Sequence, residues 1–151
     1  MNSNFKDHID QLPGQLRELV QSAPASFPLP EAPGIYVLSE AERHLYVGRT
    51  NNVRRRIKNH TRPSSGHNQA TFAFRLARQA TGRKEAEYSS TGSRQALLCD
   101  PAFAAAFEAA KARVRQMQVR FLQVAHPIQQ ALLEIYAAIS LATPYNDFDT
   151  H

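Results

Sequence analysis

At 151 residues with a net charge of +5, the chain has room for one ordinary domain with a hydrophobic core, and not for two of typical size. Its single cysteine, Cys99, excludes an internal disulfide and a thiolate metal cage, and no apolar run reaches membrane-span length; a cytoplasmic protein with no export signal and no membrane anchor is expected. The charge is uneven: Arg43 to Lys84 holds eleven Lys or Arg and no acid, whereas the remainder holds seven basic residues against thirteen acidic ones. Such a stretch repels itself unless a polyanion offsets it, and because it lacks a long amphipathic apolar face, nucleic acid suits it better than a lipid surface.

Residues 1 to 30 read as a peripheral N-terminal helical segment. Phe5, Ile9, Leu12, Leu16 and Leu19 have helical spacing, but Pro13-Gly14 interrupts it, which predicts two short helices before the proline-rich SAPASFPLPEAP. The domain proper is expected over 31–151. From Gly34 the pattern becomes GIYVLSEAERHLYVG, two apolar runs around a polar five-residue turn, hence a β-hairpin. A turn centred on Ala41 puts Tyr36 directly opposite Tyr46, two phenols side by side on one face. Asn51 or Asn52 then caps a helix in which Val53, Arg56, Ile57 and His60 share the inward face and Arg54, Arg55 and Lys58 project outward. A guanidinium at the edge of a core needs an anionic partner, and no acid lies nearby in sequence; a phosphate would serve.

A further helix is expected over about Gln69 to Ala80, then a polar Gly- and Ser-rich stretch, then a helix opened by Asp100-Pro101 and running to about Arg113. Residues 81–112 read as an insertion. Met117, Val119 and Phe121 alternate with polar residues, giving a third strand near 115–124, and Pro127 opens a last helix. Its inward stripe is expected to be Ile128, Ala131, Leu132, Ile135, Ile139 and Ala142, with Glu134 at the margin. The fold class that results is α/β (α+β): a small three-stranded antiparallel sheet flanked by helices.

Pro33-Gly34-Ile35-Tyr36 followed by Tyr46-Val47-Gly48 resembles the GIY-YIG nucleases, with Val in place of the second motif's Ile. The likeness extends to Arg49, Arg56 and His60 downstream of the second tyrosine, to Glu134 on a later helix, and to Asn146 in TPYNDF. It covers about residues 33–80 and 113–148. By that resemblance the chain is a metal-dependent endonuclease that hydrolyses DNA phosphodiester bonds and leaves 5′-phosphate and 3′-hydroxyl ends.

The resemblance implies a role for each matched residue. Tyr36 or Tyr46 is the general base, although free tyrosine has a pKa of about 10, so neighbouring cations must favour the phenolate. Arg56 clamps the scissile phosphate, with Arg49 as a second electrostatic contact, and His60 assists proton transfer or contacts phosphate. Glu134 is the one carboxylate holding Mg²⁺ or Mn²⁺, and Asn146 orients or supports the site. Arg54, Arg55, Lys58, Arg62 and His67 are candidate nucleic-acid contacts. Neither strand state nor sequence preference is readable, because backbone contacts position without specifying. The alternative is a non-catalytic nucleic-acid-binding module that keeps the fold and the basic stretch.

Overall fold

A computed structural model describes residues 4–82 and 94–148. The centre of the expected polar stretch, 83–93, lies outside the described residues. The elements, in chain order, are α1 (Phe5–Gln21), β1 (Gly34–Glu40), β2 (Arg43–Thr50), α2 (Val53–Thr61), α3 (Thr71–Ala80), α4 (Arg94–Cys99), α5 (Pro101–Arg115), β3 (Gln118–Gln123) and α6 (Pro127–Leu141). The chain is α+β, with a three-stranded antiparallel sheet of order β2-β1-β3. It falls into two compact units, divided between Arg55 and Arg56 and between Gln116 and Met117.

The first unit holds the sheet with α1 and α6. Ile35, Val37 and Val47, which alternation places on one sheet face, share a core with Leu12 and Leu19 of α1 and with Leu133, Ala137 and Ala138 of α6. The helix α1 is one helix rather than two short ones. Asn4 closes a capping box with Asp7 at its start, and Pro13 sits inside it. An interior proline costs about 3 kcal/mol, and the burial of Leu12 and Leu19 in the common core offsets that.

The last helix begins where expected, with Pro127 in its first turn and the His126 ring accepting from the Ile128 N–H, but it buries a different face. Ile128, Ile135 and Ile139 are exposed, and the buried side is Gln129, Gln130, Leu133, Ala137 and Ala138. The two glutamines are tolerated inside because their amides are satisfied. Gln129 donates to the His8 carbonyl and to Gln15 Oε1, and Gln130 donates to the Val124 carbonyl at 2.6 Å. Small side chains at 137 and 138 let the helix approach closely. Glu134 lies at the margin of this face and is half-buried.

The second unit is helical. Asp100 caps α5 through the Ala102 N–H, and Phe103 and Phe107 of α5 pack edge-on to Phe74 of α3. The short helix α4 replaces the end of what reads in sequence as a polar stretch; its Leu97 is buried. Lys111 is almost wholly buried, and its ammonium bridges the carbonyls of Pro63 and Ser65 and the Glu108 carboxylate. Arg115 donates to the Thr61 carbonyl at the end of α2. Two cations of α5 thus hold the end of α2 and the loop that follows it by their backbone.

Candidate active site

The hairpin register decides how the tyrosines meet. The turn has only two residues, Ala41 and Glu42, both with positive φ, and an irregularity follows between Leu38 and Ser39 in which Leu45 is the extra residue. Tyr36 therefore opposes Gly48, and Tyr46 opposes Leu38, instead of the two tyrosines opposing each other. They still share a face as diagonal neighbours, with ring centroids 6.3 Å apart. Tyr36 is 1% exposed and its ring lies over Gly48, where a Cβ would overlap both ring and hydroxyl. That is why position 48 is glycine. Tyr46 is half-buried.

Arg49 follows Gly48 on β2, an outer strand, with its side chain on the opposite sheet face. Its Nε stands 4.0 Å from Glu134 Oε1, the outer limit of an ion pair, and its Nη1 donates to the Pro127 carbonyl. Burial pushes the Glu134 carboxyl above the usual carboxylate range, and the Arg49 guanidinium opposes that shift. Arg49 and Glu134 thus meet on one face of β2, and the two phenols share the other.

Asn146 closes the outer edge of β2. Ala142 ends α6 in the left-handed region at φ 51°, turning the chain back toward β2. Asn146 Oδ1 then accepts from the Val47 N–H at 2.9 Å, and its Nδ2 donates to the Val47 carbonyl at 2.8 Å. The Thr143 hydroxyl donates to the same Oδ1 at 2.7 Å. The side chain pairs with the outer strand as another strand would, so in this structure it holds the backbone beside Tyr46 and Gly48.

At the start of α2, Asn52 Oδ1 accepts from the Arg55 N–H, which identifies the cap. Arg55 is exposed as expected. Arg54 is not directed wholly outward: it is half-buried, and its Nε donates to the Leu29 carbonyl.

In the second unit, Lys58 and Arg62 are exposed. Arg56 has neutral partners where the sequence suggested an anion. Its Nη1 donates to the Gln69 carbonyl at 3.0 Å and its Nη2 to the Thr71 hydroxyl at 3.1 Å, using two of its five N–H groups. His60 is fully buried, and burial, with Arg56 adding to it, pulls its imidazole down to about 3. A ring with that pKa stays neutral near pH 7, so the titration near neutrality that made it attractive for proton transfer is closed to it. His67 is half-buried, 5.9 Å from the Phe74 ring, and lines a small cleft with Thr71, Phe74, Arg75 and Arg78. Arg75 and Arg78 were not singled out in sequence. The signal was present, because with Thr71 and Phe74 they fall at i, i+3, i+4 and i+7 of a legible helix.

Residues 32–90 match the GIY-YIG catalytic domain family. That stretch of the chain is similar to the GIY-YIG catalytic domain. No curated protein and no solved structure matches the chain. A GIY-YIG domain is a nuclease-type domain of a family that acts on nucleic acid. Its matched stretch includes Tyr36, Tyr46, Gly48, Arg49, Arg56 and His60, whereas Glu134 and Asn146 lie beyond it and reach the motif strand through the fold.

The chemistry of the donor set fits a single hard cation. Among the described residues no group of three or more His, Cys, Asp or Glu is placed to hold a metal ion. Mg²⁺ and Mn²⁺ need no such cage, since they accept one or two carboxylates and fill the other positions with water and substrate oxygens. Glu134, half-buried with its carboxyl pushed up by burial, is a carboxylate whose ionised form a cation would favour.

Proposed function

We propose that the protein is a metal-dependent endonuclease that hydrolyses phosphodiester bonds in DNA. The observation that carries this reading is the Arg49–Glu134 pair on the strand that bears Tyr46 and Gly48, a strand inside the stretch that matches the GIY-YIG catalytic domain.

Hydrolysis needs a water relieved of its proton and positive charge against the oxygens on which negative charge develops. One of the two phenols takes the proton. Tyr46 is the more open to solvent, and Tyr36 is fixed against Gly48. A tyrosine does this near neutral pH only as phenolate, a form that positive charge brought by the bound cation and its surroundings would favour. Arg49 and Arg56 neutralise phosphate oxygens; the tie of Arg56 to Gln69 and Thr71 fixes the plane of its fork before substrate arrives. Glu134 holds the Mg²⁺ or Mn²⁺ ion, which when bound supplies Lewis-acid stabilisation at the leaving oxygen. Asn146 keeps Val47, and with it the strand edge, in place. Arg55, Lys58 and Arg62 meet backbone phosphates, which add affinity without sequence preference.

The test compares the parent with Glu134→Gln on labelled single-stranded and duplex DNA, with Mg²⁺, Mn²⁺ or chelator. Metal-dependent cleavage by the parent and a loss of about 10²–10³-fold in the variant are expected. Salt-sensitive binding with no cleavage under any condition would overturn the reading in favour of a non-catalytic binding module.

A further inference from the structure

The cleft in the helical unit has a chemistry of its own. Thr71, Phe74, Arg75 and Arg78 form one stripe of α3, and His67 reaches the same cleft from the loop before the helix. Phe74 is its floor. The Phe103 and Phe107 rings stand edge-on to it at 5.1 and 5.6 Å, and the Arg78 guanidinium carbon lies 5.0 Å from its centroid. Arg78 is buried, and a guanidinium held over an aromatic ring keeps its N–H groups in a fixed plane. Arg75 is half-buried on the rim, and the Thr71 hydroxyl brings Arg56 to the same turn of α3. Three guanidiniums and an imidazole therefore gather around one face of one helix.

We propose that this cleft binds a phosphate of the nucleic-acid strand, a second phosphate contact in the helical unit besides the one assigned to Arg56. The inference rests on the reading of the chain as a nucleic-acid enzyme, and it adds Arg75 and Arg78 as binding residues. Planar forks suit phosphate oxygens, which accept two N–H groups at once, and Thr71 offers a hydroxyl at the same rim. The aromatic floor keeps water from one side and strengthens the attraction.

The test measures binding of a labelled single-stranded oligonucleotide to the full chain with chelator present, across a salt series. Each phosphate contact on a single strand contributes about 0.7 to the slope of log affinity against log salt. Arg75→Gln should lower the slope by about that amount, Arg75→Lys should restore it, and Arg17→Gln, exposed on α1, should leave it unchanged. A slope for Arg75→Gln equal to the parent's overturns the proposal, as does an equal drop for Arg17→Gln. Competition by polyglutamate as strong as by unlabelled oligonucleotide also overturns it, in favour of an acidic protein partner. Hydrogen exchange on the parent gives a readout that needs no variant: oligonucleotide should protect amides between His67 and Arg78, and absence of protection there counts against the site. Because no metal is present, a chain that binds with these slopes but never cleaves sinks the nuclease reading alone. A chain that cleaves with an unchanged slope sinks only this one.

Discussion

The two units hold their functional side chains by different means. In the sheet unit, position is set by backbone register: Tyr36 lies over Gly48 because β1 and β2 pair that way, and Asn146 is fixed by both backbone groups of Val47. In the helical unit, position is set by side chains on other side chains and on carbonyls, with Arg78 over Phe74, Arg56 on Gln69 and Thr71, and Lys111 on Pro63 and Ser65. Burial disfavours charge in both. It raises Glu134, where Arg49 opposes the effect, and it lowers His60, where Arg56 adds to it. The sheet unit thus sets a buried carboxyl against an arginine, and the helical unit contains an imidazole that stays neutral.

The pH dependence of stability is the largest expected expression of that contrast. His60 has a folded pKa of about 3 against an ordinary value of 6.5. Between those values the unfolded chain takes up a proton that the folded chain refuses, so stability falls as pH drops below about 6.5 and continues to fall toward 3; above 6.5 the group has no effect. The slope from this residue approaches about 1.4 kcal/mol per pH unit. Denaturant unfolding at a series of pH values should show the decline, and His60→Leu should flatten it. An NMR titration placing His60 near 6.5 would remove the distinction between the units.

A pair of glycines sharpens the comparison at smaller scale. Alanine at Gly48 puts a methyl group into the Tyr36 ring and hydroxyl, whereas Gly66 has nothing within 4 Å of the corresponding position. Overpacking costs about 1–3 kcal/mol, so Gly48→Ala should lower stability by that order and reduce cleavage as the phenol is displaced. Gly66→Ala should stay within about 0.5 kcal/mol and leave cleavage unchanged. Equal effects from the two would mean that Tyr36 is free to swing away, and that register does not fix it.

What could be foreseen from sequence follows the same division. The hairpin, the Asn52 cap and the starts of α5 and α6 were legible because each depends on a few neighbouring residues. The register was not, since neither Ala41 nor Glu42 advertises positive φ and nothing local marks Leu45 as the extra residue. The buried face of α6 was misread because exposed isoleucines outscore glutamines in any apolar count, and the partners that satisfy Gln129 and Gln130 lie elsewhere in the chain. In the site, the order of Tyr, Arg, Glu and Asn was legible only through resemblance to a family. That His60 is sealed, and that Arg56 finds neutral oxygens, depends on tertiary packing that no spacing encodes.

Asn146 gives the smallest expected effect and separates two roles that the resemblance leaves joined. Asn146→Ala removes two hydrogen bonds from the outer edge of β2, and because water can reach a half-buried edge the cost should be only about 1–2 kcal/mol in stability. If the residue acts by holding Val47, cleavage should fall together with protection of the Val47 amide from exchange, while the salt slope of DNA binding stays at the parent's value. Asn146→Asp then discriminates further. A carboxylate still accepts from the Val47 N–H but cannot donate to the Val47 carbonyl, so it should recover part of the stability and less of the rate. Loss of cleavage with full stability and full amide protection would instead place Asn146 in contact with substrate or metal, and the strand edge would then owe its order to register alone.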